Sequence, residues 1–166
     1  EMVRDQALAV SGLLVEKIGG PPVFTYDIPE SFKPEPAGKG EALHRRSVYT
    51  YWRRNGPAPV LEAFDVPKRV VCVAKRDTTA TPLHALVLLN GPQFTEAARV
   101  LAESLHREHA GRDGALVGEA FLRLLGRAPD ATEEKILVRL LAEQRAWFEK
   151  NSGQAAALLK IGDRPA

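Results

Sequence analysis

The sequence predicts an all-α domain, irregular and helical, with long Pro/Gly-rich connections before residue 80 and an antiparallel helical array after it. Three observations predict it. Apolar residues recur at spacings of three and four along residues 3–18, 92–105, 115–125 and 132–150, the stripe of an amphipathic helix. Breakers separate those stretches: Gly19-Gly20-Pro21-Pro22, Asn90-Gly91-Pro92, Gly111 with Gly114, and Gly126-Arg127-Ala128-Pro129. The composition, 45% hydrophobic and 27% charged over 166 residues, is that of a globular chain with enough length for one cored domain.

The first helix is expected over residues 3–18, with Val3, Ala7, Val10, Leu14 and Ile18 on one face and Gly19-Gly20 as its stop. Residues 19–40 hold five Pro and four Gly, which excludes helix and leaves a long irregular segment. Residues 41–54 read as a second helix, with a short strand at Ser47–Trp52 as the competing reading because β-branched and aromatic residues are dense there. Residues 57–80 read as irregular, with a turn near Val60–Phe64 and an extended piece at Val70–Ala74 that makes Cys72 a small buried hydrophobe.

Thr81-Pro82 opens a helix over Leu83–Leu89, Thr as a cap and Pro in the first turn. Pro92 opens the next, with Phe94, Ala97, Ala98, Leu101 and Leu105 inward. Helices follow over 115–125 and 132–150, the latter capped by Asp130 or Thr132 with Glu133 and Glu134 at its positive end. Ser152 caps a last helix over Gln154–Ile161, ended by Gly162. Their shared core is expected from Phe121, Leu124, Leu125, Leu137, Leu140 and Leu141.

Charge narrows the function classes. The formal net charge is +2, yet Lys39–Arg76 carries nine Lys/Arg against three acids and the remainder carries fourteen against eighteen. A nearly neutral chain with one short basic stretch is not a nucleic-acid binder by electrostatics. No apolar run approaches the roughly 20 residues of a membrane helix. A single Cys excludes internal disulfides, Cys-based zinc sites and covalent haem attachment within these residues. The chain starts at Glu1 without an initiator Met and reads as a piece of a longer protein.

Three stretches together resemble a known family. They are Arg4–Leu14 with Gly19-Gly20-Pro21, Arg45-Arg46-Ser47-Val48-Tyr49-Thr50-Tyr51-Trp52-Arg53-Arg54, and Thr81-Pro82-Leu83-His84-Ala85-Leu86-Val87-Leu88-Leu89-Asn90, with Phe64-Asp65 and Cys72 in order between them. The set resembles the planctomycete-type domain of unknown function found near the C-terminus of large proteins carrying cytochrome-c-like modules. The resemblance implies a long, exported parent in a periplasmic or otherwise extracytoplasmic setting. Any haem would lie elsewhere in that chain, and the partners would be its other domains. It assigns no catalytic residue. This chain also departs from the family's polar pattern: Thr78-Thr79-Ala80-Thr81-Pro82-Leu83-His84 stands where the family reads Arg-Thr-Asn-Thr-Pro-Leu-Gln, and Gly91 stands where it has Asp. The resemblance implies that the family's last helix would follow this stretch, and without it an apolar groove is expected to be uncovered.

The residues themselves offer a few site candidates. Arg45, Arg46, Tyr49, Tyr51, Trp52, Arg53 and Arg54 interleave guanidinium forks with rings, which suits an acidic or polyhydroxylated ligand. With Asp65 and His84 they would form a cleft for a carbohydrate, either as an enzyme or as a binding domain. The structural alternative has Arg45 and Arg46 donate to buried carbonyls of the 19–40 segment, with Tyr49 and Trp52 beside Phe24, Tyr26 and Phe32. His44 and His84 are acid/base candidates with Asp65 or Asp77 as orienter. His106 and His109 stand three apart on one helix, with Glu103 and Glu108 as the nearest further ligands; no metal and no cofactor is expected on this chain. The leading expectation is a non-catalytic interaction or assembly module. The carbohydrate site is the alternative, and simple DNA binding serves only as a foil.

Overall fold

The computed structural model describes residues 1–26, 38–52, 58–67 and 72–165. Among them are seven α-helices and no strand: α1 (Met2–Ser11), α2 (Pro59–Ala63), α3 (Pro82–Asn90), α4 (Pro92–Glu108), α5 (Asp113–Leu125), α6 (Ala131–Lys150) and α7 (Ser152–Leu159). The all-α class is therefore correct. Two compact units divide the chain. The first is Glu1–Ala98 with Gly162–Arg164, and the second is Arg99–Ile161 with Pro165–Ala166.

In the first unit α1 is shorter than the apolar stripe suggests. Gly12 takes φ 75, and its N–H bonds Ala9 O while Leu13 N–H bonds Leu8 O, so the left-handed turn closes the helix seven residues early. Arg4, Leu8 and Ser11 form its buried face. The helix expected over 41–54 is absent as such. In its place are two short 3-10 turns, Gly40–His44 and Ser47–Tyr49, joined by extended residues. Isolated bridges pair Val15 with Arg45 and Val23 with Thr50. The β-branched and aromatic density at 47–52 thus serves single bridges to the preceding loop. The turn read near Val60–Phe64 is the short helix α2.

Leu8, Leu13, Leu43, Leu61, Val66, Phe94 and Ala97 make the core of this unit. Cys72 is exposed, contrary to the expected burial. Residues 72–80 run without helix and every one of them is exposed. Val70 and Val71 lie outside the described residues.

α3 starts at Pro82 and ends at Asn90, as the Thr-Pro and Asn-Gly-Pro signals require, although Thr81 makes no side-chain cap bond. In the second unit Val100, Leu101, Leu105 and Val117 are buried. α5 packs on α6, and α6 on α7. Asp130 caps α6: its side chain accepts from Thr132 N and Glu133 N at 2.8 Å, and Glu133 returns a bond to Asp130 N. Asn151, not Ser152, is the N-cap of α7. The expected shared core is only partly formed. Leu124, Leu125 and Leu140 are exposed, while Phe121, Leu137 and Leu141 are half-buried. The helices present one side to each other and leave the adjoining apolar side open.

Candidate functional site

Arg45 follows the Gly40–His44 turn in extended conformation, which directs its side chain to the preceding loop. It is 5% exposed and donates to Lys17 O at 2.8 Å, Gly19 O at 2.5 Å and Pro21 O at 3.4 Å. Its guanidinium lies 3.9 Å from the centroid of the Tyr49 ring, whose hydroxyl accepts from Gly19 N at 2.8 Å. This loop lacks a helical ladder, so its carbonyls draw on a side chain with five donors and no acceptor. Arg46 does otherwise: it is exposed and lies 3.9 Å from Glu16. Trp52 is half-buried, and Phe24 packs on Tyr51 with ring centroids 4.9 Å apart. Arg53, Arg54 and Phe32 lie outside the described residues.

Two buried polar clusters brace the same unit. Arg4 donates to Leu43 O at 2.6 Å, Arg45 O at 2.8 Å, Ser47 Oγ at 3.2 Å and Gln93 Oε1 at 2.9 Å. Asp5 accepts from Ser47 N at 2.8 Å and Ser47 Oγ at 2.6 Å, which fixes α1 to the Ser47–Tyr49 turn. The second cluster centres on Glu96, which is 0% exposed. Its Oε2 meets the Tyr26 hydroxyl and His44 Nε2, the latter at 3.1 Å. Its Oε1 accepts from Asp163 N at 2.9 Å and Arg164 N at 2.7 Å. Burial pushes this carboxyl up, but the surrounding donors outweigh it and hold Glu96 below the ordinary carboxylate range. Burial, then the bond to Glu96, raises the Tyr26 phenol well above its usual value. Gly162 is required here, because at φ 106 a Cβ would lie 2.6 Å from Glu96 Cγ.

The third feature joins α2, α3 and the turn between them. Asp65 adopts φ 56 and accepts from Thr79 N at 2.7 Å and Thr79 Oγ1 at 2.8 Å. The bond from Thr79 N, then that from its hydroxyl, pulls Asp65 below the usual carboxylate range, with the charge of His84 adding least to the shift. Phe64 stacks on His84 at 4.9 Å and meets Phe94 edge-on at 6.1 Å. An apolar groove of about 540 Å³ lies alongside, formed by Val60 and Ala63 of α2 and by Leu83, Leu86, Val87 and Asn90 of α3. Not one residue of α3 is buried, and Leu86 and Leu89 are 58% and 77% exposed.

The described residues among those read as a ligand cleft have different partners. Arg45 and Tyr49 interlock over residues 17–21, while Asp65 bonds Thr79 and His84 stacks on Phe64. Arg46 stands at the surface and Trp52 is half-buried. Among the described residues no hydrogen bond, ion pair or ring contact links Arg45 or Tyr49 to Asp65 or His84. His44 pairs with Glu96 rather than with Asp65 or Asp77. No group of three His, Cys, Asp or Glu among the described residues is placed to hold a metal ion, His106 and His109 included.

The charged residues that organise this unit, Arg4 and Glu96, are absent from the sequence-based candidates. Their signal was positional. Arg4 shares one helical face with Leu8 and Ser11, and Glu96 lies three and four residues from Gln93 and Val100 on the buried face of α4. A charge on an inward stripe marks a buried pair or network.

No helix among the described residues is long and apolar enough to cross a membrane. A family model described as PSD1, protein of unknown function (DUF1553), matches residues 1–141. No curated protein and no solved structure matches the chain.

Proposed function

The chain belongs to the PSD1 family of proteins of unknown function (DUF1553), and from that premise we propose that it is a non-catalytic interaction or assembly module of a larger, exported, cytochrome-c-associated protein. Its partners on this reading are the other domains of the same full-length chain, in an extracytoplasmic compartment, and any haem is carried by those domains. The observation that carries the reading is α3. A helix apolar on all sides is normally a buried one, yet α3 exposes Leu83, Leu86, Leu88 and Leu89 beside an apolar groove. A contiguous apolar surface of this kind marks an interaction site.

The fate of the polar candidates supports the same reading. The terminal nitrogens of Arg45 and the Tyr49 hydroxyl bond the Lys17–Pro21 loop, which takes the fork away from the alternative carbohydrate cleft.

The test uses the remainder of the full-length protein, expressed separately and mixed with this chain. Co-elution with the wild-type chain, lost in the Leu86→Glu/Leu89→Glu variant at unchanged melting temperature, is the expected result. Absence of co-elution with wild type, or its persistence in the variant, would sink the proposal. Glycan-array binding abolished by Asp65→Asn or His84→Gln would transfer the assignment to the carbohydrate reading.

A further inference from the structure

Gly162–Arg164 belongs to the first unit, although all of Arg99–Ile161 lies between it and the rest of that unit. It brings no apolar side chain there. Among the described residues three hydrogen bonds tie Asp163 and the Arg164 backbone to the unit. Asp163 N and Arg164 N donate to Glu96 Oε1 at 2.9 and 2.7 Å, and Asp163 Oδ2 accepts from Gly40 N at 2.8 Å. In each of the three the acceptor is a carboxylate. Asp163 and Arg164 are exposed, whereas the Glu96 they cover is wholly enclosed. Apart from the Asp5 bonds to Ser47, the rest of the unit is fastened differently. The Arg4 and Arg45 forks donate to carbonyls of residues 43, 45, 17, 19 and 21, which do not titrate, and Leu8, Leu43, Leu61 and Phe94 supply an apolar core.

We propose that Gly162–Arg164 is an acid-released strap: protonation of Glu96 frees it while the Arg4 and Arg45 forks and the apolar core stay in place, and its departure opens the Glu96 carboxyl, with His44 and Tyr26 beside it, to solvent. The two oxygens of Glu96 have different neighbours. Oε2 meets the Tyr26 hydroxyl and His44 Nε2, and Oε1 meets the strap. A proton arriving at Oε2 finds a phenol oxygen and an imidazole nitrogen that can accept from it. The two N–H groups at Oε1 can only donate, and they lose the charge that makes such a bond about twice as strong as a neutral one. Protonation therefore weakens the strap side first. Tyr26 and His44 are the titratable groups that face Glu96; Asp163 stands at Tyr26 with a like charge, and Arg4 acts on Tyr26 by charge. Because Glu96 is depressed in the closed form, the hold is complete above the ordinary value of 4.5 and is lost as pH falls through the depressed one.

Amide hydrogen exchange of the 166-residue chain, followed by NMR and corrected for intrinsic rates, tests this. Between 4.5 and the depressed value, protection of the Asp163 and Arg164 amides should fall about tenfold per pH unit, while the Leu8 and Ala97 amides keep theirs. In Glu96→Gln that pH course should flatten, since an amide oxygen accepts without titrating. Gly162→Ala should release the strap at neutral pH, because at φ 106 a Cβ would lie 2.6 Å from Glu96 Cγ and Cδ. Its Asp163 and Arg164 amides should then show the acid level of protection, and its Leu8 and Ala97 amides the wild-type level. Strap amides that lose protection only together with Leu8 and Ala97 would overturn the proposal. So would a pH course unchanged in Glu96→Gln, or a Gly162→Ala chain as protected at Asp163 as the wild type.

Discussion

The first unit hides Arg4, Arg45 and Glu96 and directs their hydrogen bonds largely at backbone. The second keeps most of its ion pairs at the surface, Arg127 with Glu133 and Arg145 with Asp113 among them, and pairs its one enclosed arginine of this kind, Arg99, with Glu103 one turn on. The contrast follows from secondary structure. α5, α6 and α7 satisfy their own N–H and C=O groups through the helical ladder, so their charges are left for water. Residues 12–26 and 38–52 have no ladder beyond two isolated bridges, so their backbone groups need side-chain partners. Arg4 and Glu96 stand on helices themselves, yet the backbone groups they bond, at residues 43, 45, 163 and 164, lie outside helices.

The strongest way to break that contrast is to remove its most buried member. Glu96→Ala leaves Tyr26, His44 and two backbone N–H groups without their shared acceptor, and should lower stability by about 3–5 kcal/mol in urea unfolding. An unfolding midpoint within error of wild type would refute the account. The same carboxylate predicts a pH dependence. Its folded value is depressed, so its contribution is complete above the ordinary carboxylate value of 4.5 and disappears as pH falls through the depressed one. The wild-type loss of stability on acidification should therefore be flatter in Glu96→Gln.

Next in size is the comparison of two neighbouring arginines. Arg45→Ala should cost about 1–3 kcal/mol by leaving loop carbonyls without donors, and should open residues 17–23 to limited proteolysis. Arg46→Ala should stay within about 0.5 kcal/mol, as exposed sites do. Equal effects would mean that the loop is held by something other than the Arg45 fork.

In the second unit the expected effects are smaller. Asp130→Ala removes the capping box of α6 and should cost about 0.5–2 kcal/mol, read as a lower thermal midpoint. Arg127→Ala should leave the midpoint at neutral pH almost unmoved. Its signature is at Glu133, which the Arg127 fork and then Asp130 N hold at about 2. By NMR titration that carboxyl should move back toward 4.5 in the variant. A Glu133 that still titrates near its wild-type value would assign the depression to the cap bond alone.

How much of this was legible follows the same division. The bounds of α3 and α6 were readable because Thr81-Pro82, Asn90-Gly91 and Asp130 with Glu133 act within a few residues of themselves. The early end of α1 was not, because an unbroken apolar stripe from Val3 to Ile18 outvoted one glycine, and only the backbone at Gly12 decides. The extended residues Arg45 and Thr50 were hidden because their bridge partners, Val15 and Val23, lie more than twenty residues away. The Arg45 role was accessible by asking where the loop's carbonyls find donors, whereas Arg46 beside it carried the same signal and is exposed. The apolar faces misled in the opposite direction: Leu124, Leu125 and Leu140 fit a core pattern that the neighbouring helices do not cover.

The return of Gly162–Arg164 to the first unit has a consequence in time. During synthesis Glu96 leaves the ribosome long before its backbone donors, since Asp163 follows it by 67 residues. At about 5–20 residues per second that interval is roughly 3–13 seconds. Throughout it, α4 carries an inward carboxylate without two of its native donors, and the first unit is not yet closed. Arg99–Ile161, nearly all of the second unit, is made inside that interval. The helices from α5 to α7, whose contacts are local, have time to form before the segment that completes the earlier half has been translated.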